Sequence, residues 1–418
     1  MRRRPLLALP AFVAVLLAVL AGALVAQPLP AASPAAVLEH LRILSQQNGP
    51  RAAGTPGDLR AVDYVAGELA RIGYAVERQP FPFQYFEETQ PPLLTVVGEA
   101  PRRLAPSTML YSASTPEEGI EAEVVAAGLG RPADFSGLRV EGKIVLVQRG
   151  EIFFRDKVAN AAAAGALAVL IVNNQPGGAV VGTLMAPAKL PAVAISQDEG
   201  QDLLRRLAAG PVRVRLVVRT ISEERISMNV IGVRRGTALP GEVVVVGAHR
   251  DSVPTSPGAN DNASGTAALL EAGRLLAGVR TARTVHVVAF GAEELGLIGS
   301  RFYAQHPPGR IVGMVNLDMV GRGVLSVGNS SDDTTLVDLA ERIAARLQLP
   351  VARFKLRSGA SDHAAFEEIG VPAVFIHTGD DPAIHTPNDI VDRIDPLLVA
   401  RAATLAAHVA LEVAGPSR

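Results

Sequence analysis

The chain has 418 residues, of which 48% are apolar and only 4% aromatic, and it contains neither Trp nor Cys. That length and apolar content allow two domains of ordinary size, or one large domain carrying an insertion. A formal charge of −1 with no basic run in the body of the chain points away from a nucleic-acid partner, and without cysteine no disulfide can hold the fold together.

Residues 1–26 read as a targeting segment. Arg2, Arg3 and Arg4 form a positive start, Pro5 to Ala26 is uncharged, and Ala21-Gly22-Ala23 offers a small-residue cleavage site. The uncharged run is also long enough for an uncleaved anchor, since a bilayer takes about 20 apolar residues. Pro10 and the small residues at the end favour a cleaved signal, and with it a secreted, extracellular or periplasmic location.

A Pro/Ala linker follows, Pro28 to Pro34. Ala35 to Gln47 has helical apolar spacing, with His40 expected at the surface. Thr55 to Ile72 is a second helix, with Thr55 as N-cap, Pro56 at its first position and Gly73 as its stop. Tyr74 to Phe81 alternates like a strand. From Ile120 to Val218 the character changes to short strands around one Ala-rich helix, Asp156 to Gly165, with strands at Ala168 to Val172 and Ala192 to Ile195. The strings EGKIVLVQRG and DKVANAAAAGALAVLIVNN in this stretch resemble the protease-associated (PA) domain, a small β-rich module. No histidine and no paired acids point to catalysis there, so a lid or docking role is expected of it.

From Met228 onward strands and helices alternate, which predicts an α/β fold with a mixed, mostly parallel central sheet flanked by helices. The strands fall at Asn229 to Val233, Val243 to Gly247, Thr284 to Phe290, Ile311 to Leu317 and Ala373 to Ile376. Helices are expected from Ala263 to Leu276, Leu297 to Gln305, Thr334 to Leu347 and Pro396 to Val413. The four-valine run beginning at Val243 reads as a strand buried on both faces. His249 and Asp251 stand at its carboxyl end, where open α/β sheets bind their ligands, and Asp261 follows in a loop rich in Gly, Pro and Asn.

Two later strands also end in acids, at Glu293-Glu294 and at Asp318, and the loop after Phe375-Ile376 holds His385. If these strands are neighbours, their polar side chains gather at one sheet edge. Carboxylates placed together repel one another, so such a cluster calls for cations. Two imidazoles and three carboxylates suit a pair of zinc-like ions. Of the adjacent acids Glu293 and Glu294, one can bind metal while the other serves as general base.

HRDS, GANDNASGTAALLE, AFGAEELGLIGS, NLDMVG, SDHAAFEEIGVP and IHTPND occur in this order. Together they resemble the secreted di-zinc aminopeptidases of metallopeptidase clan MH, family twenty-eight, over nearly all of the mature chain, the inserted PA module included. The resemblance implies two Zn²⁺ per subunit and peptide substrates. It implies His249 and Asp318 as ligands of one zinc, Glu294 and His385 as ligands of the other, and Asp261 bridging both. It further implies Glu293 as general base and Asp251 as the acid that orients His249 through its second nitrogen. Many relatives have Tyr before the last metal-binding histidine; this chain has Ile384. Ser361-Asp362-His363 matches a recurring string, with pocket lining or loop structure as its alternatives.

The domain boundaries implied are 1–26 for the signal, 27–115 and 221–418 for the peptidase domain, and 116–220 for the PA insertion. Two other functions stay open on the residues alone. A carboxypeptidase of the same superfamily would need basic groups for a C-terminal carboxylate, with Arg250, Arg322 and Arg357 as candidates. A non-catalytic receptor or binding domain would be expected to have lost ligands, and none is lost. Among the other histidines, His286 is expected in the core, and His306, His377 and His408 lack spaced partners, His377 being nearest the site loop.

Overall fold

The computed structural model describes residues 29–416. The expected targeting segment, 1–26, lies outside them. Two compact units divide the chain: Pro82–Ile226 forms one, and the residues before and after it form the other.

The second of these is the α/β unit. Its sheet runs, strand by strand, Ala352–Lys355, Ser326–Asn329, Ala373–His377, Arg310–Leu317, Leu239–His249, Arg283–Phe290 and the end of Arg213–Arg234. The four strands Ala373–His377, Arg310–Leu317, Leu239–His249 and Arg283–Phe290 are mutually parallel, so their carboxyl ends share one edge. The outer pairings on both sides of this block are antiparallel. The valine run is buried on both faces because the pleat sends alternate residues to opposite sides. Val244 and Val246 join a core with the helices Gly265–Ala277 and Pro396–Ala414. Val243 and Val245 join the opposite core with Phe290, Tyr303 and Phe366. Each buried valine contributes about 1.5–3 kcal/mol by leaving water.

The helix Pro56–Arg71 begins as its sequence predicts, with Thr55 Oγ1 accepting from the Asp58 amide and Pro56 at the first position. The first helix is shorter than expected as α-helix: Pro34–Leu41 is α and Arg42–Gln47 continues it with wider turns. His40 is not a surface residue. It is 7% exposed, and its Nδ1 lies 2.6 Å from the Tyr64 hydroxyl, a partner that makes burial affordable for an imidazole.

In the inserted unit, Ile120–Ala126, Ile144–Gln148, Ala168–Val172 and Ala192–Ile195 form a parallel row, closed by antiparallel Ser107–Thr108 at one end and by Arg213 to Leu216 at the other. Two helices pack on this sheet rather than one. Phe154–Ala163 is the expected Ala-rich helix, and Gln197–Ala209 is a second, started by a reciprocal cap between Ser196 and Glu199. The compact unit is wider than 116–220 because the residues from Pro82 onward already run in the long strand Ala75–Val97 and in Ser107–Thr108.

Candidate metal centre

The shared edge of the four parallel strands gathers the acids and imidazoles. His249 is the last residue of its strand, Asp318 directly follows Leu317, Glu293 and Glu294 lie just beyond Phe290, and His385 stands in the loop after His377. Asp261 comes from the segment between the His249 strand and the helix Gly265–Ala277. Three non-glycine residues beside these side chains, Ala292, Met319 and His385, have left-handed φ, at 56°, 51° and 60°.

These side chains form two groups that share one member. In the first, His249 Nε2 lies 3.3 Å from Asp261 Oδ1 and 3.3 Å from Asp318 Oδ1. In the second, His385 Nε2 lies 3.0 Å from Asp261 Oδ2 and 3.1 Å from Glu294 Oε2. Asp261 therefore turns one carboxylate oxygen to each imidazole, and each trio could hold a metal ion. Glu293 belongs to neither trio; its Oε2 is 3.9 Å from His249 Nε2.

The buried acids of the centre are held from behind. Asp389, the last residue of IHTPND, accepts the amides of Asn260 at 2.7 Å and Asp261 at 3.0 Å, fixing the backbone of the shared acid. Asn262 spans to the neighbouring strand end, donating to the Leu317 carbonyl and accepting the amides of Gly265 and Met319. Ser361 accepts from Asn316 Nδ2 and donates to Asp318 Oδ2, both at 2.7 Å. Asp251 departs from the role the resemblance implies. Its carboxylate is 3.8 Å from His249 Nδ1, which lies closer, at 3.2 Å, to the Asp251 carbonyl oxygen. The carboxylate instead accepts the amides of Glu293 at 3.2 Å and Glu294 at 3.3 Å, so it steers the turn that carries both acids.

The electrostatics are those of too many acids for the cations available. Burial opposes charge on His249, but the carboxylates of Glu293 and Asp318 outweigh it and hold its pKa well above the ordinary value. His385, hydrogen-bonded to Asp261 and Glu294, is pushed up to about 10. Burial would raise Asp261, yet its bonds to both imidazoles hold it below the usual carboxylate range. Burial raises Glu293 well above an ordinary carboxyl, with Asp362, Asp318 and Asp251 adding to the rise, and lifts Asp251 to about 6. Oε1 of Glu294 is buried without a hydrogen-bond donor. Two imidazoles and three carboxylates, one of them with a buried oxygen left unsatisfied, are a donor set that suits zinc-like divalent ions.

Several of the other singled-out residues have structural partners, whereas both carboxylate oxygens of Asp362 are buried without a hydrogen-bond partner. His286 is buried with Nδ1 2.8 Å from the Tyr303 hydroxyl, as expected of a core residue. His377 Nδ1 donates to the Asp318 carbonyl at 2.9 Å, so it braces the ligand strand end. His363 stacks on Phe375 and bonds Ser330, which makes this part of the SDH string structural. Arg250 is fully buried against Asp58, and Arg322 is paired with Asp381 at 2.7 Å. The bracing roles of Asp389 and Ser361 are not legible in their strings, because only the folded chain shows what their oxygens face.

The sequence model of peptidase family M28 matches residues 229–410, and that of the PA domain matches residues 120–203. Aminopeptidase YwaD of Bacillus subtilis is 32% identical over 369 residues, covering 84% of this chain and 78% of that protein. Among solved structures, an aminopeptidase from Aneurinibacillus sp. strain AM-1 superposes with a TM-score of 0.76 at 34% identity, over 93% of this chain and 95% of that one. BSAP, a zinc aminopeptidase from Bacillus subtilis, superposes with a TM-score of 0.72 at 30% identity, over 92% and 96%. With its ligand-bearing strand ends and its PA insertion, the chain belongs to peptidase family M28.

Proposed function

We infer that this chain is a metal-dependent aminopeptidase that uses two zinc ions to hydrolyse the N-terminal residue from peptides. The observation that carries the reading is the pair of trios sharing Asp261, with the Glu293 carboxylate beside them, 3.9 Å from His249 Nε2. His249, Asp261 and Asp318 would hold one ion, and Asp261, Glu294 and His385 the other. When bound, the ions supply Lewis acidity, polarising the scissile carbonyl, lowering the pKa of water and offsetting the repulsion among the carboxylates.

The chain's own groups handle protons and position. Glu293, beside the His249 group but a member of neither trio, is placed to take the proton from the attacking water and pass it to the leaving amine. Asp251 fixes the backbone on which Glu293 and Glu294 stand. Ile384 is 36% exposed and has no hydroxyl to offer an oxyanion, so that charge falls to the cations or other donors. Support for a carboxypeptidase is weaker, because Arg250 and Arg322 are committed to Asp58 and Asp381, leaving only exposed Arg357 of the three. Residues 1–26 support placement outside the cytoplasm, as a secreted or envelope protein.

The test compares an aminoacyl-anilide with an N-blocked dipeptide, each with and without chelator. Hydrolysis of the anilide alone, lost with chelator and restored by zinc, is the expected result. Cleavage of the blocked dipeptide in its place would refute the reading.

A further inference from the structure

We propose that Arg51 is a positioning residue for the cation site of Asp261, Glu294 and His385, acting through the loop 250–258. The proposal deepens the two-cation reading and rests on it. Arg51 lies about two hundred positions from the loop in sequence, yet its side chain is fully buried behind it. Its Nε donates to the Arg250 carbonyl at 2.8 Å, at the loop's start. Its Nη1 donates to Pro257 at 2.7 Å and its Nη2 to Gly258 at 2.8 Å, at the loop's end. Nη1 also reaches the carbonyls of Leu44 and Gly49, which tie the loop to the N-terminal helix. The Arg51 amide adds a bond to Ser252 Oγ at 3.0 Å.

Among the described residues, every side-chain hydrogen bond of this guanidinium goes to a carbonyl oxygen. A planar fork that satisfies both ends of one loop fixes its span, which a flexible ammonium cannot do. The fit is close. Gly258 has φ +59°, and a Cβ there would fall 2.9 Å from Arg51 Nη2 and 2.4 Å from the Asp261 carbonyl oxygen.

What the loop governs is one site more than the other. It leads into Asp261, and its Thr255 donates to the His385 carbonyl at 3.3 Å. His249 and Asp318 stand on strand ends with their own supports, Thr266 on the His249 carbonyl and Ser361 on the Asp318 carboxylate. Loss of the fork should therefore loosen the ion held by Asp261, Glu294 and His385 before the ion held with His249 and Asp318.

The experiment dialyses zinc-loaded wild type, Arg51→Met and Arg51→Lys against graded chelator and reads zinc per chain by elemental analysis, with far-UV circular dichroism as the fold control. Wild type should release two ions in two steps. In Arg51→Met the first ion should leave at about tenfold lower chelator, the usual size of effect for a lost outer support, with the second step moved less because Asp261 is shared. Arg51→Lys should fall between, and it decides the matter if Arg51→Met fails to fold. Release of both ions as in wild type, or equal weakening of both steps, would overturn the proposal. A wild type that holds a single zinc would overturn the two-cation reading and this inference with it.

Discussion

Ser361 donates its hydroxyl to Oδ2 of Asp318 across 2.7 Å, leaving Oδ1 of the same carboxylate turned toward His249. The hydroxyl thus selects which oxygen faces the ion site. Ser361→Ala removes that restraint and strips Asn316 Nδ2 of its buried acceptor. We expect zinc affinity to fall by roughly 10- to 100-fold and stability by about 1–3 kcal/mol. Zinc competition titrations and urea unfolding read the two effects separately; unchanged zinc affinity would show that Asp318 needs no such guide.

Glu293 and Asp261 should separate cleanly on mutation. Glu293→Ala removes a carboxyl that belongs to neither trio, so metal and fold should persist while kcat drops by roughly 10²–10⁴-fold, the ordinary worth of a general base. Asp261→Ala removes the oxygen pair that faces both imidazoles, so metal should go as well. Steady-state kinetics beside elemental analysis decides it, and wild-type turnover in Glu293→Ala counts against the mechanism.

Strand runs and strand-end polar residues make the centre legible in the sequence. A β-branched run such as Val243 to Val246 declares burial on both faces, and parallel neighbours must present their ends together, so His249, Glu293, Glu294 and Asp318 announce themselves by position. What was not readable depends on contacts between distant segments. The sequence hides the burial of His40 because its partner hydroxyl, Tyr64, lies a helix away. The resemblance aims Asp251 at the His249 ring, whereas the turn after Phe290 offers its carboxylate two amides at closer range. Arg51, in a segment with no motif of its own, meets the loop only through tertiary packing.

Asp58 and Arg250 form a fully buried ion pair at 2.8 Å, next to the strand end that carries His249. Asp58 is further held by the Gly54 amide and the Ser227 hydroxyl. Asp58→Ala would leave the guanidinium buried without its counter-charge, at a cost of about 3–5 kcal/mol. Replacing both partners, as Asp58→Leu with Arg250→Met, should recover much of that loss, since no buried charge is left unpaired. Urea midpoints of the wild type, the single variant and the double variant test this; a double variant as unstable as Asp58→Ala would refute it.

His286 gives an acid-sensitive term to stability that is independent of the metal centre. Burial in the strand Arg283–Phe290 lowers its pKa from the ordinary 6.5 to about 4. A folded-state pKa below the unfolded one means that the unfolded chain takes up the proton first as pH falls. The stability this neutral imidazole supports is therefore complete above about pH 6.5 and is lost between there and pH 4, reaching about 3 kcal/mol at the lower end. His286→Phe removes the titrating group while filling the same space, at the fixed cost of leaving the Tyr303 hydroxyl without its partner. Urea unfolding of both proteins at pH 7.5 and pH 4.5 should show the wild type losing about 2–3 kcal/mol more than the variant over that interval. Parallel losses in the two proteins would mean that His286 charges as readily in the fold as outside it.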